Sequence, residues 1–116
     1  MTLREELTKW LEEKWAERPV WASLDVGDGW LPLIKETLEK CFELAPEMRL
    51  FQVKEKFGEL RIYAGPVESE EALALIEAAL VKSRSVCDVC GAEGRTRSRG
   101  GWLMTRCGLH APEESV

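Results

Sequence analysis

The chain has 116 residues, 45% of them apolar, with five tryptophans and a formal net charge of −5. That length fits one domain or a main domain with a small appendage, and the apolar content excludes wholesale disorder. No apolar run approaches the roughly 20 residues needed to cross a bilayer, and the opening M-T-L-R-E-E is too acidic for a secretory signal. A cytoplasmic setting with reduced thiols and no membrane contact is expected.

Thr2 and Glu5 have the spacing of a capping box, and Leu3, Leu7, Trp10, Leu11 and Trp15 then fall on one helical face. A first helix is predicted over 3–16, ending before Arg18-Pro19 because a residue preceding proline is pushed out of the helical region. Residues 19–29 read as a connector, with Trp21 and Leu24 lying against the body. Asp28 is placed to cap a second helix over 30–44, with Pro32 tolerated in its first turn and Pro46 closing it. Its apolar face is Leu31, Ile34, Leu38, Cys41, Phe42 and Ala45, which makes Cys41 a small core residue.

From Met48 the period changes to that of strands, predicted over 48–56 and 60–64 and joined at Phe57-Gly58-Glu59, with Gly58 supplying positive φ. Phe51, Val53, Leu60 and Ile62 are the expected inward residues. Ser69 can cap a third helix over 70–83 whose buried face is Leu73, Ile76, Ala79 and Leu80. These elements make an α+β fold, with helices packed on a short antiparallel hairpin or sheet.

The last quarter carries the chemistry. Cys87 and Cys90 form C-x2-C, Cys107 and His110 form C-x2-H, and sixteen residues separate the pairs. Two short chelating bites of soft ligands are what a closed tetrahedral Zn²⁺ centre of three thiolates and one imidazole requires. A lone CxxC would equally suit a redox motif or buried thiols, but the second pair favours one structural zinc ion. Gly91 lets the chain turn so that backbone N–H groups face the thiolates. Residues 95–99 and 102–105 should form a hairpin about Gly100-Gly101, and Cys107 to His110 should open a short helix. Knuckle, hairpin and helical turn describe a treble-clef-like zinc module over 85–116 on an acidic body over 1–84; a second knuckle would make it a zinc ribbon.

Charge follows the same division. Residues 1–81 hold seventeen acidic and ten basic side chains, whereas residues 82–110 hold two acidic and six basic. Lys82, Arg84, Arg95, Arg97, Arg99 and Arg106 surround the zinc segment, and the alternation R-T-R-S-R puts three arginines on one strand face. That comb suits phosphates or an acidic protein surface, against the plainer reading of a solvated hairpin. Trp102 either stacks on a base or packs against the zinc, and packing carries more weight.

At V-K-E-K-F-G-E-L-R-I-Y, C-D-V-C-G and G-W-L-M-T-R-C-G-L-H-A the chain resembles a family of small, largely uncharacterised zinc-binding proteins of phages, prophages and bacteria. The likeness spans about residues 27–111, starting at G-D-G-W-L-P-L-I. In that family Gly58 is commonly followed by a second glycine, where this chain has Glu59. The resemblance implies that Cys87, Cys90, Cys107 and His110 hold metal, in a bacterial or phage-infected cell; it implies no activity.

A zinc ion with four protein ligands has no open position for substrate, and neither a second histidine nor a P-loop is present. A non-catalytic binding protein is therefore expected, a phage-type modulator docking on a bacterial host protein or nucleoprotein. Direct DNA or RNA binding is the first alternative. A metal-dependent nuclease using Asp25, Asp28 or Glu55 is the second. Leu3, Leu7 and Trp10 would form a homodimer seam if the first helix does not close the core.

Overall fold

The computed structural model describes residues 1–14 and 23–112. The fold is α+β: helix α1 spans Leu3–Lys14, α2 Leu31–Leu44 and α3 Glu70–Ser83. The strands are β1 (Leu24–Asp25), β2 (Arg49–Lys56), β3 (Glu59–Gly65), β4 (Arg95–Arg99) and β5 (Trp102–Arg106). One sheet has the order β1-β2-β3, with β1 parallel and β3 antiparallel to β2; β4 and β5 form a separate antiparallel hairpin.

Thr2 does cap α1. Its hydroxyl accepts the Glu5 N–H at 3.1 Å while the Glu5 carboxylate reaches back to the Thr2 N–H at 3.4 Å. The expected end of this helix, with Trp15 and the Arg18-Pro19 stop, lies outside the described residues, as does Trp21. Leu7 and Leu11 are buried, and Leu3 and Trp10 pack against the core. The Trp10 ring meets Phe42 of α2 edge-on at 5.5 Å. The stripe proposed as a dimer seam is thus satisfied within the chain.

Asp28 does not cap α2. A short 3-10 turn, Asp28–Trp30, precedes that helix, and neither start has a side-chain cap. Asp28 instead accepts the Arg4 Nε at 2.9 Å, while the Arg4 guanidinium also donates to the carbonyls of Leu24 and Val26. Arg4 therefore ties α1 to the 24–28 segment. Pro32 sits in the first turn of α2 and the helix stops two residues before Pro46, as the backbone chemistry requires. The connector also contains β1, where the Val53 N–H donates to the Ser23 carbonyl at 3.1 Å.

In β2 the inward residues are Leu50 and Val53, not Phe51, which is 39% exposed. A register shift between Leu50 and Gln52 inserts Phe51 as an extra residue, and the alternation restarts one position later. Ile62 packs against the core beside the buried Leu60. The β2–β3 turn consists of Phe57 and Gly58, both with positive φ (56° and 78°), and Glu59 is already in β3. There its carboxylate is held between Arg61 at 3.1 Å and Arg84 at 2.9 Å.

A left-handed conformation costs a residue with a Cβ about 1–2 kcal/mol, and asparagine bears it better than phenylalanine. Phe57 is 64% exposed, so replacing it gives up little burial. Phe57→Asn should raise stability by about 1 kcal/mol and the melting temperature by a few degrees. A lower melting temperature would show that the contact of the Lys56 ammonium with the ring, 5.5 Å from its centroid, outweighs the strain.

Ser69 caps α3, accepting the Ala72 N–H at 3.1 Å. The buried face of α3 is Ala72, Ala79 and Ser83, with Leu75 and Ile76 packed on the core, whereas Leu73 is 46% exposed. The face is rotated relative to the expected one because small residues face α2 and the sheet. The Ala72 carbonyl lies 3.7 Å from the thiol of Cys41, and the buried Ser83 hydroxyl accepts the Leu60 N–H at 3.0 Å. Cys41 is a core residue, and burial pushes its thiol pKa up.

Candidate metal centre and its supports

Cys87, Cys90, Cys107 and His110 come together at the C-terminal end, with one ligand atom from each residue and all four within 4.8 Å of one another. The separations Cys90 Sγ to Cys107 Sγ and Cys87 Sγ to His110 Nδ1 are both 3.7 Å, and Cys107 Sγ to His110 Nδ1 is 3.3 Å. A tetrahedral ion with metal–sulfur bonds of about 2.3 Å needs its sulfurs about 3.8 Å apart, and its nitrogen slightly closer. The spacing fits a single ion at the centre of the four.

Two local structures build this geometry. In the first, the chain reverses at Cys87–Gly91, where Gly91 has φ of +83° and donates its N–H to the Cys87 carbonyl at 2.9 Å. Burial pushes the Cys87 thiol up, but backbone N–H groups of Cys107, Cys90 and Val89 together with the Cys107 thiol bring it down to about 6. These donors favour the thiolate that a metal binds. At Cys107 burial also acts upward, but the His110 ring, the His110 backbone N–H and the Cys90 thiol together outweigh it, leaving that thiol lowered. The His110 pKa is raised, first by Cys107 and then by Cys87.

The second local structure is the turn Cys107–His110, closed by the His110 N–H on the Cys107 carbonyl at 3.2 Å. The expected helix does not open there: residues 108–110 form a turn and residues 111–112 are not helical. Between the two bites, β4 and β5 pair from Arg95↔Arg106 to Arg99↔Trp102, around Gly100 and Gly101 with φ of +57° and +82°. Cys107 follows β5 at once, and Cys90 precedes β4 by a four-residue link, Gly91 to Gly94.

The centre is anchored to the body by residues that the metal-ligand pattern does not reveal. Gly29 donates its N–H to the Asp88 carbonyl at 3.0 Å, and the buried indole of Trp30 donates to the Val86 carbonyl at 2.7 Å. A Cβ on Gly27 would lie 2.0 Å from the Asp88 oxygen, and one on Gly29 would lie 2.1 Å from the Cys87 oxygen. The backbone of 27–29 therefore lies directly on the first knuckle. The G-D-G-W run carries the readable signal, two glycines flanking one residue just ahead of a tryptophan.

The β2–β3 turn supports the hairpin from another side. Thr105, fully buried, donates to the Gly58 carbonyl at 2.6 Å and contacts the Thr96 hydroxyl at 3.1 Å. Its own carbonyl accepts the Asp88 N–H at 3.0 Å, joining β5 to the knuckle.

The basic residues are distributed unequally. Arg84 is paired with Glu59, and Arg106 with Asp88 at 3.1 Å. Among the described residues, Arg95, Arg97, Arg99 and Lys82 have no carboxylate partner. Arg97 Nε donates to the Arg106 carbonyl at 2.9 Å. Trp102 is 72% exposed and does not pack against the metal centre, correcting the expectation that weighed packing above stacking. It stands where the hairpin has left the body behind, beside two glycines with nothing within 4 Å of their Cβ positions.

Asp25, Asp28 and Glu55 do line one hollow of about 570 Å³, together with Asp88, Arg4 and Arg106. Each of the four carboxylates already has a donor: Ser23 for Asp25, Arg4 for Asp28, the Gly58 N–H for Glu55 and Arg106 for Asp88. Among the described residues, the three cysteines and His110 are the one group of His, Cys, Asp or Glu side chains spaced to hold a metal ion. No described helix is long and apolar enough to cross a membrane. Compared with known proteins, the chain matches no family model, no curated protein and no solved structure.

Proposed function

We propose that this chain is a non-catalytic binding protein in which one structural Zn²⁺, held by Cys87, Cys90, Cys107 and His110, fixes the β4–β5 hairpin as its docking element. The observation that carries this reading is the convergence of the four ligand atoms within 4.8 Å at the two ends of that hairpin. Three thiolates and an imidazole at tetrahedral spacing favour zinc over harder cations. Four protein ligands also leave the ion no position for water or substrate, so its contribution is rigidity. The knuckle at 87–91 followed by a hairpin suits a treble-clef-like module, while the non-helical turn at 107–110 suits a zinc ribbon, in which the second pair also lies in a knuckle. The resemblance in the K-F-G-E-L and R-C-G-L-H runs implies a phage or bacterial setting, and for such a setting the partner proposed is a bacterial host protein or nucleoprotein in the cytoplasm.

The test begins with elemental analysis of full-length protein purified under reducing conditions, which should find one zinc per chain. Capture from bacterial lysate should then depend on the metal, and nuclease treatment separates protein from nucleic-acid partners. Protein that carries no transition metal, or captures its partner equally well after chelation, would defeat this reading.

A further inference from the structure

We infer that the outward face of the β4–β5 hairpin binds single-stranded nucleic acid, with phosphates on Arg95, Arg97 and Arg99 and a base stacked on Trp102. This rests on the reading of the hairpin as a metal-fixed docking element. Side chains in a strand alternate between faces, and cross-strand partners share a face. The register Arg95↔Arg106, Arg97↔Met104 and Arg99↔Trp102 therefore puts four arginines, a methionine and a tryptophan on one side. Thr96 and Thr105 belong to the other, which is turned toward Gly58. On the arginine side Arg95, Arg99 and Trp102 are exposed, whereas Arg106 at its base turns to Asp88 and the hollow shared with the body.

Within that face, the positive charge available to a ligand belongs to β4. Arg106 is committed to Asp88, whereas Arg95, Arg97 and Arg99 carry no ion pair among the described residues of this protein of net charge −5. The bond from Arg97 Nε to the Arg106 carbonyl orients that guanidinium and leaves its terminal nitrogens for a ligand. Successive arginines lie about 6.8 Å apart along an antiparallel strand, comparable with the phosphate spacing of an extended single strand.

At the far end, Trp102 offers a π-face that every base can use. An acidic peptide would satisfy the arginines but would not account for an exposed indole in line with them. A duplex would keep its bases stacked away from Trp102 and would bring a second phosphate chain toward the acidic body. The outward positions of both strands hold no Asn, Gln, Asp or Glu, so recognition would be tolerant of base identity.

The test uses zinc-loaded full-length protein and fluorescent oligothymidylate and oligouridylate of about twelve nucleotides, beside a duplex of the same length. The single strands should bind more tightly than the duplex. Their affinity should fall with salt at a logarithmic slope of about −2, as three phosphate contacts require.

Two variants separate the contacts. R95A/R99A, which spares the bonded Arg97, should weaken binding about tenfold or more and reduce the slope by about 1.4. W102A should weaken it about tenfold with little change of slope. Both should keep one metal per chain and the parent circular dichroism. No binding by the metal-loaded parent at about 50 mM salt, or parent-like binding by both folded variants, would overturn the inference. So would equal binding of a poly-glutamate peptide that W102A leaves intact, which would identify an acidic protein as the ligand. Absence of metal from the purified parent is a separate result, which removes the docking-element reading itself.

Discussion

Cys90→Ala protein should purify with well under one metal ion per chain, and its residues 87–110 should lose most of their protection from amide hydrogen exchange. In metal-finger peptides the apparent binding free energy is about 10–16 kcal/mol and is coupled to folding. Here the effect should be confined, because the body has its own core of Leu7, Leu11, Trp30, Leu38, Leu50 and Leu60. Amides of α2 and β3 should stay protected while those of β4 and β5 exchange. Chelating the parent protein should reproduce the pattern, and restoring zinc should reverse it. Cys41→Ala is the control: that thiol is buried in the core and outside the ligand group, so the variant should lose some stability but keep its metal. Full metal occupancy and unaltered exchange in Cys90→Ala would remove Cys90 from the ligand set.

The four ligands were legible in the sequence because chelation imposes short, fixed spacings, and the folded chain brings those residues together. Helices α2 and α3 were legible for a similar reason: Pro32, Pro46 and Ser69 act through local backbone chemistry within a few residues. What depended on partners distant in the chain was not. Phe51 turned outward because a bulge in β2 re-phased the alternation, and a bulge is set by pairing with β3. Asp28 had the right place for a cap, but Arg4, twenty-four residues earlier, engages its carboxylate. The two residues of β1 are too short to carry a period and form a strand through parallel pairing with Val53 and Lys54. Trp102 is exposed although tryptophan usually finds burial, since the hairpin tip extends beyond anything it could pack on.

The same reasoning explains how the metal segment gains a defined position instead of hanging from α3. One backbone joint, Gly29 to Asp88, ties it to the body, and two more, Asp88 to Thr105 and Gly94 to the Ser85 carbonyl, brace it internally, each at 3.0 Å. Side chains add the Trp30 bond to Val86 and the Thr105 bond to Gly58. A buried indole and a buried hydroxyl with defined partners fix orientation as well as contact, because leaving either donor unpaired costs about 1–3 kcal/mol. The ion proposed for the Cys87, Cys90, Cys107 and His110 cluster would close the hairpin from within, and these joints aim it.

Of these joints, the one at Gly29 permits the least change. Gly29→Ala would place a methyl carbon 2.1 Å from the Cys87 carbonyl oxygen and 2.6 Å from the Gly91 nitrogen. Both neighbours are backbone atoms of the knuckle, so no side-chain rotation can make room. The variant should lose about 3 kcal/mol, with a fall in melting temperature of roughly 10 °C or more, and should bind zinc more weakly because relief requires moving Cys87. Gly27→Ala, whose new carbon would meet the Asp88 oxygen at 2.0 Å, should behave alike. Gly108→Ala is the informative contrast: it lies between two ligands, yet nothing stands within 4 Å of its Cβ position, so its stability should change by less than about 0.5 kcal/mol. Thermal melts and competitive zinc titrations of the three variants measure both quantities. If Gly29→Ala and Gly27→Ala melt with Gly108→Ala, the 27–29 segment does not bear on the knuckle, and the metal segment is oriented by other contacts.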